Sequence, residues 1–361
     1  MSRGLGDVYK RQIIGAGNTG FACASDLKRR GIETTIFSRD PVKAAKLTKC
    51  SFTITGRITT TTQFRVSANL AASVNFADII IIATWANAHE DIISAIKPFI
   101  HQDQTIIFLN GNWGMLQAVA KLTPDWIIQK HVSILETSGM PYVAQWHNHS
   151  LHISEIKTKV TVAAYGNQQA WRKGLNLLKQ LYSEISVSPS VLQTSLSALN
   201  PIIHVPVSLF NLPRIEHAER FHILTDGLSE STRAYIMRID TERKQLASVL
   251  DIPYSSIVHQ LATQWGTDFD TLGEVFHGLA TYRNLPAPTN IQSRFIIEDL
   301  PYGIDPLVRL GKILSVPLPY SQKLATFAHA VFDQVPEPDL RFINSETIAA
   351  VQSNNPANDL D

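Results

Sequence analysis

The sequence predicts an α/β protein whose first half forms a parallel sheet covered by helices and whose second half is all α-helical. Three observations support this fold class. Short runs of β-favouring residues alternate with helical stretches up to about Val187. A glycine-rich turn over 15–20 joins the first strand to the first helix. From about Ser190 onward, long helical patterns take over.

The composition is that of a folded protein without a strongly charged surface. At 361 residues the chain is long enough for about two domains. Hydrophobic residues make up 44% and charged residues 17%, which excludes a disordered or fibrous protein. The net charge is +1, with no long block of one sign. Because clustered cations are needed to bind phosphates, we expect no nucleic acid and no membrane surface as partner.

The termini and cysteines favour a cytoplasmic protein. Cys23 and Cys50 are too few for a disulfide framework or a Cys-based zinc site. The densest apolar run, 79–83, is far shorter than the roughly 20 residues that span a bilayer. The N-terminus lacks the apolar core of a secretory signal. Because only two isoleucines end the first strand, residues 1–12 are expected to be a non-native leader that replaces part of it; a short strand with a loose leader is the alternative.

The elements of the first half follow the order of a parallel sheet with crossover helices. Continuous apolar runs predict buried strands, because such a sheet is covered on both faces. After a first strand that ends at Ile14, strands are predicted over 32–37, 78–84, 105–109, 131–135, 142–146 and 159–164, and helices over 20–30, 86–99 and 168–182.

The second half is predicted to be an α-helical domain. We place the boundary near 187–192 and assign 1–189 to the first domain and 190–361 to the second. Ser229 is a candidate N-cap for a helix over 228–250, and Pro253 follows its end. Another helix is predicted over 319–332. The polar, Asn-rich segment 337–361 is expected to be loosely held.

The turn between the first strand and helix has the G-x-G-x-x-G pattern of a Rossmann dinucleotide-binding site. Gly15 permits the tight turn, Gly17 lets the backbone approach a pyrophosphate, and Gly20 permits close packing of helix on strand. Free N–H groups at the start of the helix attract the anion, so Asn18 and Thr19 are also assigned to the cofactor site. A purely structural turn is the alternative.

The end of the second strand bears on the choice of cofactor. NAD enzymes usually offer Asp or Glu there to the ribose 2′-hydroxyl. This chain offers Ser38 and Arg39, which suit a 2′-phosphate, and Asp40 lies past the expected position. The sequence therefore favours NADP, with NAD as the alternative and a solvated loop arginine as the other interpretation of Arg39.

Three polar residues of the helical half suit chemistry on a 2-keto acid. His204 can give or take a proton near neutral pH. A carboxylate such as Asp299 can hold the histidine in one tautomer. Arg294 can hold a substrate carboxylate with both arms of its guanidinium.

Several segments together resemble the opine dehydrogenases, the octopine/nopaline dehydrogenase family. The resemblance spans roughly 13–332 and is carried by the segments 15–20, 83–89, 136–137, 141–142, 200–204, 239–240, 242–243 and 294–303. It implies an N-terminal Rossmann domain followed by an all-α substrate domain. It also implies that an amino acid and a 2-keto acid are the substrates, joined as an imine that NADH or NADPH reduces.

The resemblance also implies roles for individual residues. His204 would be the catalytic acid/base, Asp299 its partner and Arg294 a ligand of the substrate carboxylate. Each residue has a plainer alternative: a structural histidine for His204, a helix cap before Pro301 for Asp299, and a surface ion pair for Arg294.

Further positions border the site implied by the resemblance. Thr84 is assigned to the cofactor, and Asn200 and Glu136 are assigned to the substrate. A helix cap is the alternative for Asn200 and a buried pair is the alternative for Glu136. Trp85 stands where the family usually has proline, which puts a bulky ring near the expected nicotinamide and leaves the substrate size open.

A cluster of histidines and one tryptophan have open interpretations. His147, His149 and His152 could face a metal from a strand, but the intervening Asn and Ser favour a loop, so no metal is expected. Trp113 lies beside two glycines, and both a place in the cofactor crevice and a place in the core fit it.

Two other functions fit the same scaffold. One is a ketopantoate-type or 2-hydroxyacid reductase, which needs no amine substrate. The other is an NADP-binding protein without catalytic activity. The sequence identifies neither the amino acid nor the keto acid, and it leaves a homodimer open.

Overall fold

The first half of the chain contains the β-structure. The structure, a computed structural model, describes residues 9–147, 150–332 and 334–353. Its strands are β1 (Arg11–Ile14), β2 (Thr34–Phe37), β3 (Phe52–Gly56), β4 (Thr60–Thr62), β5 (Arg65–Ser67), β6 (Ile79–Ile82), β7 (Thr105–Phe108), β8 (Ser133–Thr137), β9 (Tyr142–His147), β10 (Ser150–Ile156), β11 (Lys159–Gly166) and β12 (Glu184–Val187). Of the predicted leader, 1–8 lies outside the described residues, and Arg11 and Gln12 form the first half of β1.

Eight of these strands form one large sheet in the order β12-β11-β8-β7-β6-β1-β2-β5. From β5 to β8 every neighbouring pair is parallel, whereas β11 runs antiparallel to β8. This is the strand order of a Rossmann fold extended at one edge, so the predicted Rossmann domain is confirmed. The order reverses between β1 and β6. The crevice in which such sheets bind ligands therefore lies at the carboxyl ends of these two strands.

Helices cover both faces of the large sheet. They are α1 (Asn18–Arg29), α2 (Pro41–Lys49), α3 (Leu70–Phe76), α4 (His89–Ile96), α5 (Gly114–Leu122), α6 (Pro124–Gln129) and α7 (Gln168–Leu181), with 3-10 turns at Ala86–Ala88 and Lys97–Phe99. The α1 and α7 side chains pack on one face, and those of α4 and α5 pack on the other. Strand β6 is buried on both faces, which explains its uninterrupted apolar sequence.

A second, four-stranded sheet has the order β4-β3-β10-β9 and was not predicted from the sequence. It packs on α1 through an aromatic cluster in which the Phe21 ring lies 4.9 Å from that of Phe52 and 5.6 Å from that of Trp146. Polar and short strands such as β4 give weak sequence signals. The sheet matters for the site, because β10, the last of its strands along the chain, leads directly into β11 of the large sheet.

The second half is all-helical, as predicted. Its helices are α8 (Val191–Leu196), α9 (Leu199–Phe210), α10 (Leu212–Glu216), α11 (Glu230–Val249), α12 (Ile257–Trp265), α13 (Leu272–Gly278), α14 (Ala280–Arg283), α15 (Arg294–Ile297), α16 (Asp305–Ile313), α17 (Pro319–Val331) and α18 (Ser345–Ser353), with a π-helical turn at Leu300–Ile304. The Ser229 hydroxyl caps α11 by accepting the Thr232 N–H at 3.1 Å. The proposed domain boundary, 189/190, falls between β12 and α8. Within the described ranges, no helix is both long and apolar enough to cross a membrane.

The prediction that 337–361 is loosely held is wrong for its central part. Helix α18 packs against α5 of the first domain, with Ile348 and Val351 buried. The Asn344 side chain caps this helix by accepting the Thr347 N–H at 2.8 Å. The polar composition misled the prediction, because two apolar residues three positions apart suffice to dock one helical face. Residues 354–361 of this segment lie outside the described residues.

Candidate active site

The glycine-rich turn has the geometry that a pyrophosphate needs. Gly15 has φ +123°, and a Cβ there would stand 2.7 Å from the Ala83 carbonyl oxygen at the end of β6. A Cβ at Gly20 would stand 1.9 Å from the Gly15 oxygen, so the helix can approach the strand only with glycine. Beside Gly17, by contrast, there is open space. Helix α1 begins at Asn18 without a side-chain cap, which leaves its first N–H groups for an anion.

The end of β2 has no carboxylate free for a ribose hydroxyl. Asp40 caps α2, with its Oδ1 accepting the Lys43 N–H at 3.0 Å. Ser38 is buried, and its N–H donates to the Ser67 carbonyl. Arg39 is exposed, and its guanidinium has no hydrogen-bond or ion-pair partner among the described residues. This arrangement fits a phosphate better than a hydroxyl.

Three further residues line the crevice at the switch point. Thr84 follows β6, and its hydroxyl oxygen is buried without a hydrogen-bond partner in the described part of the chain. Thr19, in the first turn of α1, directs its hydroxyl to the Met140 sulfur at 3.1 Å. Trp85 is 47% exposed. The glycine turn and the unsatisfied Thr84 hydroxyl therefore fit a bound dinucleotide.

The helical half contributes a buried histidine–carboxylate pair. His204 lies on α9, and its Nδ1 is 2.7 Å from the Asp299 Oδ2. An ionised carboxylate can only accept, so Nδ1 carries the proton and Nε2 is left as the acceptor. The Phe295 ring stacks on the imidazole at a centroid distance of 3.8 Å. Asp299 precedes the π-helical turn but makes no capping hydrogen bond, so its interpretation as a helix cap is wrong.

The environment of His204 favours the neutral imidazole. Burial lowers the pKa of His204, and the charge of Arg294 lowers it further. The hydrogen bond and charge of Asp299 oppose this shift without reversing it. At neutral pH the ring is therefore poised as a base, while Asp299 stabilises the imidazolium that forms when the ring accepts a proton.

Arg294 begins α15 and lies beside this pair. It is partly buried, and its guanidinium pairs with no carboxylate of the described residues, so the surface ion pair considered above is not formed. Nearby Glu298 is buried, and its Oε1 accepts the Ala86 N–H at 3.0 Å from the loop after β6. Burial and Asp299 raise the pKa of Glu298 to about 7. This hydrogen bond holds the histidine pair against the carboxyl end of β6, which adjoins the glycine turn.

Asn200 is one of the two further residues that the sequence assigns to the substrate. Asn200 lies one helical turn before His204 on α9 and is partly buried. The helix begins after Ala198 without a side-chain cap, so the capping interpretation of Asn200 is wrong. Its contact with substrate stays a prediction.

The assignment of Glu136 to the substrate is contradicted by its contacts. Glu136 is fully buried, with Oε2 accepting the Met115 N–H at 2.9 Å. Its Oε1 accepts the hydroxyls of Thr194 at 2.8 Å and Ser195 at 2.9 Å. Both oxygens are therefore occupied, and the residue joins β8 to α5 and α8 instead of facing a ligand. Burial raises the pKa of Glu136 to about 6 despite these three donors.

Sequence reasoning missed Lys157, which lies between β10 and β11 with its ammonium over Gly139, beyond the carboxyl end of β8. Its ammonium donates to the Gln264 Oε1 of α12 at 3.2 Å. Burial and then the charge of Arg294 lower the pKa of Lys157 to about 8. A prediction of this position needs the second sheet and the antiparallel direction of β11, and neither has a clear sequence signal.

The remaining candidates lie apart from this site. The His152 Nδ1 is 3.1 Å from the Thr55 hydroxyl in the second sheet, and His149 lies outside the described residues. No group of three or more metal-ligating side chains occurs in the described ranges. Trp113 belongs to the core, with 2% of its surface exposed.

One segment that carries the family resemblance is structural. Asp240 and Arg243 form a buried ion pair on α11. The Asp240 Oδ2 also accepts the Tyr254 hydroxyl and the Ile257 N–H, and Arg243 donates to the Leu196 carbonyl. The pair therefore ties α11 to α8 and α12.

The fold and the crevice define a two-domain dehydrogenase of the NAD(P)-binding class. The family described as "NAD/NADP octopine/nopaline dehydrogenase, alpha-helical domain" matches residues 187–332, and the family "Ketopantoate reductase PanE/ApbA" matches residues 12–150. The opine dehydrogenase of Arthrobacter sp. (strain 1C) is 24% identical over 326 residues, which cover 89% of this chain and 90% of the relative. The chain therefore carries the α-helical domain of the octopine/nopaline dehydrogenases over 187–332, and these matches support the resemblance noted in the sequence.

Solved structures share the whole fold. Octopine dehydrogenase, solved with NADH and L-arginine, has a TM-score of 0.75 at 15% identity, with 98% of both chains covered. Yersinopine dehydrogenase with NADP⁺ bound has a TM-score of 0.71 at 14% identity, with 96% of this chain and 98% of the other covered. At this identity the likeness concerns the architecture, and both domains of the present chain follow it.

Proposed function

We propose that the protein is an NAD(P)-dependent opine dehydrogenase, an oxidoreductase acting on CH–NH bonds. It joins the amino group of an amino acid to a 2-keto acid and reduces the resulting imine. The observation that carries the proposal is the buried His204–Asp299 pair with Arg294 beside it. The Glu298–Ala86 hydrogen bond keeps that group at the carboxyl edge of the dinucleotide-binding sheet.

Each residue of this group has a distinct task in the proposed reaction. Arg294 holds the keto acid by its carboxylate, for which the planar guanidinium fork is suited. The His204 Nε2 accepts and returns the proton as the amine adds to the carbonyl and water leaves, and Asp299 keeps the ring in the required tautomer. Bound NAD(P)H supplies the hydride that reduces the imine carbon. Amine, keto acid, NAD(P)H and one proton thus give a secondary amine, water and NAD(P)⁺.

The preferred cofactor is NADP. Ser38 and the unpaired Arg39 support this choice, because a hydroxyl and a guanidinium suit a 2′-phosphate. Asp40, the carboxylate next to Arg39 in the chain, is occupied as the cap of α2. NAD binding without the 2′-phosphate contact remains compatible with the same crevice.

The proposal is tested by a matrix of 2-keto acids against amino acids, with NADPH and NADH oxidation followed at 340 nm. Amine-dependent oxidation is expected, with a secondary amine detected by mass spectrometry. A ketopantoate-type reductase, which the match over 12–150 favours, would oxidise NADPH with the keto acid alone. Cofactor binding without turnover on any pair would indicate a protein that has lost catalysis.

His204→Ala tests the assigned acid/base. We expect turnover to fall by roughly 10²- to 10⁴-fold, the usual contribution of a positioned acid/base, with NADP⁺ affinity unchanged. His277→Ala is the matched control, because His277 is exposed on α13 of the same domain. Full turnover in the His204 variant would remove this residue from the mechanism.

A further inference from the structure

Each domain contributes one positive side chain to a pair whose charges act on each other. Lys157 belongs to the first domain and Arg294 to the second, and the charge of Arg294 contributes to the lowered pKa of Lys157. Both are partly buried. Neither forms an ion pair with a carboxylate of the described residues. The charge of Arg294 also acts on the buried Glu298, whereas the side-chain partner of the Lys157 ammonium is the neutral Gln264 oxygen. A partly buried ammonium without a charged partner is stabilised when an anion binds beside it.

The chain places Lys157 there by its topology. Because β11 runs antiparallel to β8, with Val162 opposite Thr137, the residues that precede β11 lie beyond the carboxyl end of β8. The Lys157 N–H donates to the Pro141 carbonyl at 2.7 Å, which fixes the backbone at this edge. The ammonium lies over Gly139, where a Cβ would stand 3.6 Å from Nζ.

Lys159, two residues after Lys157, differs from it in having a charged partner. Its ammonium pairs with the Glu184 carboxylate of the neighbouring strand β12 at 2.9 Å, at the surface. The Lys157 ammonium instead has a neutral side-chain partner, the Gln264 amide oxygen of α12. Gln264 orients the ammonium across the domain boundary without neutralising it, so a second, charged acceptor is accommodated by the remaining donors.

We propose that Lys157 is the specificity residue for the amine donor and binds its α-carboxylate, while Arg294 binds the carboxylate of the keto acid. This inference rests on the proposed function. The two cations then hold the two carboxylates of one product molecule, a secondary amine with a carboxylate on each arm. Amines without a carboxylate lack the contact to Lys157 and are poor donors.

The closing experiment uses ligands that need no turnover. Iminodiacetate is a secondary amine with two carboxylates, and sarcosine is its counterpart with one. Their affinities are measured by isothermal titration calorimetry on the full-length protein with NADP⁺. Lys157→Met is expected to weaken iminodiacetate binding by roughly 10- to 100-fold, the effect of removing one charge-assisted hydrogen bond, and to change sarcosine binding less than about twofold. Lys159→Met is the matched control and should change neither.

A second variant separates charge from folding. Lys157→Arg keeps the cation, and we expect it to retain the preference for iminodiacetate over sarcosine. Equal iminodiacetate affinity in the wild type and in Lys157→Met, or equal losses for both ligands, would overturn the proposal. If no amine-dependent turnover is found but iminodiacetate binding depends on Lys157, the proposed reaction fails and the two-carboxylate site stands.

Discussion

Replacing Glu136 with Gln tests whether this carboxyl group is structural, as its contacts indicate. Gln has the same shape, and it can still accept from the Met115 N–H while donating to the Thr194 and Ser195 hydroxyls. Burial raises the pKa of Glu136 from 4.5 to about 6 in the folded protein. Because the folded pKa exceeds the unfolded one, ionisation destabilises the fold. The cost is absent below pH 4.5, grows towards pH 6 and is complete above it.

The size of this effect follows from the shift. A change of about 1.5 pKa units corresponds to about 2 kcal/mol of unfolding free energy. Glu136→Gln does not titrate, so its stability relative to the wild type should rise by that amount between pH 4.5 and pH 7.5. For 361 residues at an unfolding entropy of about 2.1 cal/mol/K each, this is a change in Tm of about 3 °C. Other titrating groups cancel in the difference between the two proteins.

Differential scanning calorimetry of both proteins at pH 4.5 and pH 7.5, at one scan rate, measures this difference. Steady-state kinetics on the same samples should give KM values within about twofold of the wild type for both substrates. A stability difference independent of pH would refute the linkage argument. An increase of roughly tenfold in the KM of either substrate, in a folded variant, would return Glu136 to the substrate site.

Two more predictions concern the cofactor and the catalytic pair. Arg39→Ala should lower kcat/KM for NADPH by roughly tenfold and leave kcat/KM for NADH nearly unchanged. Lys46→Ala, on the exposed face of α2, is the control and should alter neither value. Parallel losses with both cofactors would contradict the role of Arg39 in binding the 2′-phosphate. Asp299→Asn should lower kcat by roughly 10²- to 10⁴-fold, because the His204 tautomer is no longer held. In the oxidative direction the wild type should lose activity as the pH falls through the pKa of His204, which lies below 6.5, because the protonated ring cannot act as a base. Since Asp299 raises the pKa of His204, the Asp299→Asn variant should lose activity at a still lower pH. An acid limb at the same pH in both proteins would exclude His204 as the titrating base.

The cross-domain contacts explain why the site depends on both domains. Glu298 accepts a hydrogen bond from the loop after β6, and Gln264 accepts one from Lys157. The helix α18 adds a third link, from the end of the chain back to α5. The group proposed to be catalytic, on the second domain, is therefore positioned by the same strand ends that form the cofactor crevice.

The sequence alone identified what depends on residues close together in the chain. The turn over 15–20 is recognisable because each glycine answers a steric demand made within a few residues, such as the contact of Gly20 with Gly15. The cap of α11 by Ser229 is local in the same sense. The uninterrupted apolar runs located the central strands, because their burial on both faces leaves no polar positions.

Only the tertiary structure decided which polar side chains contact one another. Asp299 reaches His204 across 95 positions of the chain, and no local pattern distinguishes that use from a helix cap. The Glu136 carboxylate accepts hydrogen bonds from the hydroxyls of Thr194 and Ser195, which lie 58 and 59 positions later in the chain. Lys157 lies beyond the carboxyl end of β8 because β11 is antiparallel to β8. Such contacts are fixed by how strands and helices pack, and packing depends on the whole core, so a single stretch of sequence does not contain them.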